Sequence, residues 1–342
     1  MLTVLGVALA VTLVATPLLR PVARRLGLVA VPGTRSSHDS PTPRAGGVAI
    51  LLGVAVALAA GGGGGVSRSD LVALLGGGAL LAVVGLLDDR FDLPPLPRLG
   101  IQILAAGLVV RATGGFERLP LPEPLSLPLA PALGATTAVL WIVAVTNLYN
   151  FMDGIDGLAT LQGALTAIAL ALALPSHASE AATLAAALAG ATLGFLVYNW
   201  APASVFLGDV GSGVVGFTLA SLPLMASRGS RGEAAVLVAA SLFLFLADTT
   251  ICLLGRSMRG ERVLEAHRQH LYQRWVATGA THATVSLWLG FGALVTTSLA
   301  LIGWRTGDAT WYWASLGLDS VFFALERRVV KRREARVDQR YQ

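Results

Sequence analysis

The chain has 342 residues, 54% of them apolar and only 13% charged, with a mean hydropathy of +0.69. Soluble globular domains carry about 25% charged residues, so these values predict an integral membrane protein. A net charge of +5 would suit nucleic acid, but the basic residues fall between apolar segments, where orientation in a bilayer accounts for them, and nucleic acid is excluded as a partner. The single cysteine, Cys252, excludes a disulfide framework and a thiol-rich metal site.

Apolar runs long enough to span a bilayer, roughly 17 to 25 residues, predict an all-α polytopic protein of eleven transmembrane helices. They lie near 1–19, 45–60, 70–87, 99–115, 130–148, 157–175, 181–198, 210–227, 233–255, 283–303 and 310–325. The first lacks a basic leader and a small-residue cleavage site, so it reads as a retained span. The second is short and the last is interrupted by Asp319. No repeat and no room for a soluble domain appear between spans, which makes residues 1–342 one transmembrane domain with a basic cytoplasmic tail at 326–342.

Connectors after odd-numbered spans, with the C-terminal tail, hold 19 of the 25 Lys and Arg residues, and connectors after even-numbered spans hold 6 when Arg111, near the end of the fourth span, is counted with them. The positive-inside rule places the odd connectors and the C-terminus in the cytoplasm. Parity then puts every unusual polar cluster on that side: "RSSHDSPTPRAGG" (35–47), "GLLDDRFDL" (85–93), "NLYNFMDGIDGLA" (147–159), "YNWAPASVFLGDVGSG" (198–213) and "EAHRQHLYQR" (265–274). Five clusters on one face predict one cytoplasmic site.

Taken in order, the adjacent acids Asp88 and Asp89 resist simultaneous ionisation unless a cation or hydrogen bonds offset their repulsion, which suggests a metal, a base or both. Asn147, Asn150, Asp153 and Asp156 recur every third residue, so a straight helix cannot aim all four at one ligand. Gly154 and Gly157 predict that the helix ends there and folds the later acids back. Asp209 sits between glycines at the start of the eighth span, where backbone N–H groups and the positive helix end favour a phosphate. Phe206 reads either as an interfacial anchor or as a surface on which a base stacks. Amide and carboxylate donors without a zinc-type Cys/His spacing point to Mg²⁺ or Mn²⁺. His267 and His270, flanking Arg268, read as a cationic clamp for phosphate oxygens. Asp248, inside the ninth span, reads as a local pairing or a contact to the site.

The ordered set "DDRFD", "NLYNFMDGIDG", "PASVFLGDVGS" and "HRQH" resembles the polyprenyl-phosphate N-acetylhexosamine-1-phosphate transferases over nearly the whole chain. The resemblance implies a Mg²⁺-dependent transfer of sugar 1-phosphate from a UDP-N-acetylhexosamine to undecaprenyl phosphate, with release of UMP. It implies Asn150 and Asp209 as metal ligands, Asp88 and Asp89 as the essential acidic pair, and Asp153 and Asp156 as acids near the nucleotide. Phe206 matches the aromatic beside uracil, and His267, Arg268 and His270 match the diphosphate and sugar loop; His38, Arg44 and Asn147 join the expected substrate-binding set. The loops 35–47 and 265–274 look most like the subgroup that initiates O-antigen with sugars such as FucNAc or QuiNAc, since further histidines after "HRQH" are replaced by Tyr272 and Gln273. Homodimer formation is left open. The rival class is a secondary transporter, whose acids belong near the bilayer midplane rather than at helix ends; a binding-only scaffold leaves the metal-type constellation without a use.

Overall fold

A computed structural model describes residues 1–31, 40–60, 68–174, 179–226, 229–262 and 267–341. Among these residues the chain is almost wholly helical: α1 (Leu2–Arg25), α2 (Gly46–Ala60), α3 (Arg68–Phe91), α4 (Pro95–Thr113), α5 (Pro131–Phe151), α6 (Leu158–Ala173), α7 (Ser179–Asn199), α8 (Gly208–Ser221), α9 (Arg231–Ser241), α10 (Phe243–Met258), α11 (Leu271–Ala277), α12 (His282–Thr306) and α13 (Thr310–Tyr341). The only sheet among them is one two-residue antiparallel pair, β1 (Val29–Ala30) with β2 (Thr42–Pro43).

The eleven crossings expected from apolar runs are not confirmed. Six helices are long and apolar enough to cross a membrane, namely α1, α3, α4, α5, α7 and α12, and α9 with α10 counts as a seventh only as a span bent by 76° at Leu242. At about 1.5 Å per residue, α2 and α6, with 15 and 16 residues, fall short of a hydrocarbon core of about 30 Å. Run length measures apolarity and does not register where a helix breaks. The chain is nonetheless an all-α polytopic membrane protein. The expected tail at 326–342 continues α13 through Tyr341, with Glu326 and Val330 buried.

α7 lies at the centre, packed by α1, α2 and α6, and its Ala-rich sequence suits that place, because small side chains let neighbouring backbones approach closely in a bilayer. α8 is enclosed by α2, α3 and α5. The start of α8 presses on α3 at Gly85, where a Cβ would lie 2.6 Å from Val210 N and 2.7 Å from the Asp209 carbonyl. Both contacts are backbone, so neither can swing away. Gly85→Ala is expected to lower stability by about 1–3 kcal/mol, the usual cost of overpacking, read as a fall in the thermal unfolding midpoint in detergent.

Candidate active site

The site begins where the β1–β2 pair delivers the chain to α8. Arg44 N donates to Leu28 O at 3.0 Å, Phe206 N to Pro43 O at 2.9 Å, and Gly46 N to Phe206 O at 3.0 Å. This short ladder fixes Arg44 beside Phe206 and Gly208, joining two clusters more than 150 residues apart in sequence. Gly208 has a φ of +73°, and a Cβ there would lie 2.7 Å from Asp89 Oδ2. Only glycine suits both demands.

Asp89 closes the start of α8. Its Oδ1 accepts from Asp209 N at 3.1 Å and its Oδ2 from Val210 N at 3.4 Å, while Arg44 Nη1 lies 3.1 Å from Oδ1. The N–H groups expected to hold a phosphate therefore hold a carboxylate instead, which satisfies helix-end donors and suits the positive end of the dipole. Asp88 turns the other way: its Oδ1 accepts from Leu93 N at 2.8 Å and its Oδ2 pairs with Arg98. Arg98 reaches on to Asp209, 4.0 Å away.

At the end of α5 the four polar residues part as helical rotation requires. Asn147 faces α4, donating to Gln102 Oε1 at 2.5 Å and to Val143 O at 2.8 Å, and so is placed outside the acidic cluster. Asn150 donates to Asp209 Oδ1 at 3.2 Å and accepts from Ser212 at 3.1 Å. The helix stops at Phe151, and Gly157, with a φ of +76°, starts α6. The turn between them carries Asp153 and Asp156 back toward α8, as the glycines predict. Asp156 Oδ2 accepts from Ala203 N at 3.0 Å and lies 3.3 Å from His282 Nδ1. Burial first, then the charges of Asp209 and Asp89, push the Asp153 carboxyl up to about 8. Burial is the larger cause, and a bound cation would offset only the part that the neighbouring carboxylates add.

The "HRQH" loop departs from expectation. Asp248 takes the start of α11, accepting from Leu271 N at 2.9 Å and Tyr272 N at 3.5 Å, so it reads as the local pairing. His270 is buried beneath this helix and stacks between Phe151 and Tyr272. Burial, then His267 and Arg256, lower its pKa to about 3, and burial with Arg256 lowers that of His267. Burial and the neighbouring positive charges thus work against the charge that a cationic clamp would carry. Of the three residues only Arg268 lines the cavity described next. His38 lies outside the described residues.

That cavity, of about 850 Å³, is lined by at least one residue from each of the five clusters, including Arg44, Asp89, Asn150, Phe206, Asp209 and Arg268. Asp153 and Asp156 also line it. A second hollow of about 650 Å³, on the α3–α4 side, holds Asp88, Arg90 and Arg98 and shares Arg44, Asp89 and Asp209 with the first. Carboxylates therefore form the wall between two chambers. Their donors are hard oxygens, which fits Mg²⁺ or Mn²⁺. Sequence reasoning missed Arg98 and His282, each visible only as a basic residue near the start of an apolar run, with no spacing to tie it to a carboxylate far away in sequence.

Residues 71–227 match Glycosyl transferase family 4. A decaprenyl-phosphate N-acetylglucosaminephosphotransferase of Mycobacterium tuberculosis is 33% identical over 321 residues, covering 83% of this chain and 79% of the relative. The chain belongs to the polyprenyl-phosphate N-acetylhexosamine-1-phosphate transferase family. A relative of the same description from Mycolicibacterium smegmatis is 33% identical, covering 84% and 79%, and a phospho-N-acetylmuramoyl-pentapeptide-transferase of Mycolicibacterium gilvum is 30% identical, covering 84% and 92%. As a member of this family the chain is a membrane transferase.

Proposed function

We propose that this enzyme transfers an N-acetylhexosamine 1-phosphate from a UDP-sugar to a polyprenyl phosphate such as undecaprenyl phosphate, releasing UMP, in the initiating step of an envelope glycan. The observation that carries this reading is the pair of chambers joined at Asp89 and Asp209. The larger has the volume of a nucleotide-sugar site and presents Phe206 for a base with Arg44 and Arg268 for a diphosphate. The smaller offers Arg90 and Arg98 to a lipid phosphate. An acceptor oxygen forms a bond to the sugar-bearing phosphorus, the diphosphate P–O bond breaks, and UMP leaves with that electron pair. Asp88 takes the last proton of the acceptor, and Arg44 and Arg268 take up charge on the departing nucleotide. Asn150 and Asp209, 3.2 Å apart, are the residues to hold Mg²⁺, which would neutralise the diphosphate.

The excess of Lys and Arg in the odd-numbered connectors supports a site at the cytoplasmic face of the inner membrane. The loop sequences favour FucNAc or QuiNAc for O-antigen, whereas the names of the mycobacterial relatives weigh toward N-acetylglucosamine, so UDP-GlcNAc is the first donor to test. Purified enzyme with undecaprenyl phosphate, Mg²⁺ and a panel of UDP-sugars is expected to release UMP with at least one UDP-N-acetylhexosamine. Silence across the panel from a monodisperse preparation overturns the reading.

A further inference from the structure

Cys252 on α10 faces the two histidines of the loop that precedes α11. Its sulfur and one nitrogen from each of His267 and His270 all lie within 4.8 Å of one another. The two rings are 4.8 Å apart, centroid to centroid, at 31°. Neither imidazole lines the acidic cavity. A thiol sulfur and two imidazole nitrogens brought together at the loop form a donor set suited to a Lewis acid.

We propose that Cys252, His267 and His270 form a binding site for a borderline divalent metal of the Zn²⁺ type, separate from the hard-oxygen site of the acidic cavity. One sulfur and two nitrogens are a three-ligand zinc set that leaves a fourth position for water. Bonds of about 2.0–2.3 Å place tetrahedral ligand atoms roughly 3.5 Å apart, so the trio closes by about 1 Å, and His267, which is only partly buried, supplies that movement. Asp248 Oδ1 lies 4.0 Å from His270 Nδ1, beyond hydrogen-bond distance, so it orients that imidazole only if the loop closes further. Arg256 is the opposing charge. Its guanidinium is tied to Glu261 at 2.9 Å and to Arg262 O at 2.6 Å, and loss of the thiol proton on binding offsets half the metal's charge. A metal here fastens the loop to α10, and because Arg268 stands between the two ligands, it fixes that arginine at the rim of the larger cavity.

The test uses the full-length enzyme, stripped with chelator in detergent and titrated with Co²⁺ in excess Mg²⁺, which keeps the hard-oxygen site occupied. The expected result is one Co²⁺ per chain with a near-ultraviolet thiolate-to-cobalt charge-transfer band. Cys252→Ser is expected to lose the band and to bind at least about 10-fold more weakly, with an unchanged elution volume and metal-free unfolding midpoint, while Asp209→Asn keeps the band. Because Cys252 is the only cysteine, alkylation of the wild-type chain gives a second reading that needs no variant: Zn²⁺ is expected to slow it at least about 10-fold. Co²⁺ bound without the thiolate band, equal binding by Cys252→Ser, or an alkylation rate indifferent to Zn²⁺ overturns the proposal.

Discussion

Asp209→Asn is expected to cut UMP release by at least about 10²-fold, the scale of losing one preorganised charge-stabilising group, and to leave the chain folded. The side chain is 28% exposed and stands where the two chambers meet. What anchors α8 is the Asp209 backbone N–H on Asp89, which the substitution does not touch, and asparagine keeps the volume. Removing the charge also removes the largest electrostatic cause that raises Asp153, so the variant loses repulsion rather than a stabilising contact. What it lacks is a hard anionic ligand beside Asn150. The wild-type chain is expected to gain thermal stability from Mg²⁺, as any ligand of the folded state confers, and the variant to gain little. Near-normal turnover at low Mg²⁺, or an undiminished Mg²⁺ shift, would remove Asp209 from the metal site.

Much of this arrangement is legible in the amino-acid sequence. Composition alone indicates the solvent, and the five distant polar clusters expected to share one site all contribute residues to the cavity. The spacing of three from Asn147 to Asp156 required a break, and α5 does end at Phe151. The failures share a cause, which is that a side chain's partner is a tertiary fact. Nothing in "DDRFD" says that Asp89 will take the N–H groups of α8 while Asp88 takes Arg98. Nothing in "HRQH" says that both histidines turn under α10 toward Cys252. Helix count failed for a related reason, since an apolar run such as 233–255 reads the same whether it is straight or bent at Leu242.

The opposite facing of the acidic pair turns a sequence expectation into a sharp kinetic one. Asp88, one residue nearer the bilayer interior, lines the smaller chamber with Arg90 and Arg98, whereas Asp89 belongs to both chambers and is bound to α8 and Arg44. A lipid phosphate entering the smaller chamber meets two guanidiniums, and as it draws Arg98 from Asp88 it frees that carboxylate to accept a proton. In water the second proton of a phosphate monoester leaves near pH ~6, a value that the surrounding carboxylates raise and that Arg90 and Arg98 lower. Asp88→Asn is therefore expected to lower the maximal rate by about 10²–10⁴-fold at neutral pH, the contribution of a positioned base, and to recover part of it between about pH 7 and 9 as the acceptor ionises unaided. Asp89→Asn removes the charge that complements the start of α8 and pairs Arg44, a defect of position that no change in the acceptor's ionisation repairs, so its loss is expected to persist across the same pH range. Rate profiles of both variants with undecaprenyl phosphate decide the matter: recovery by Asp89→Asn alone exchanges the two roles, and a sugar-phosphate adduct trapped on either aspartate makes that residue a nucleophile and replaces direct attack with two successive transfers.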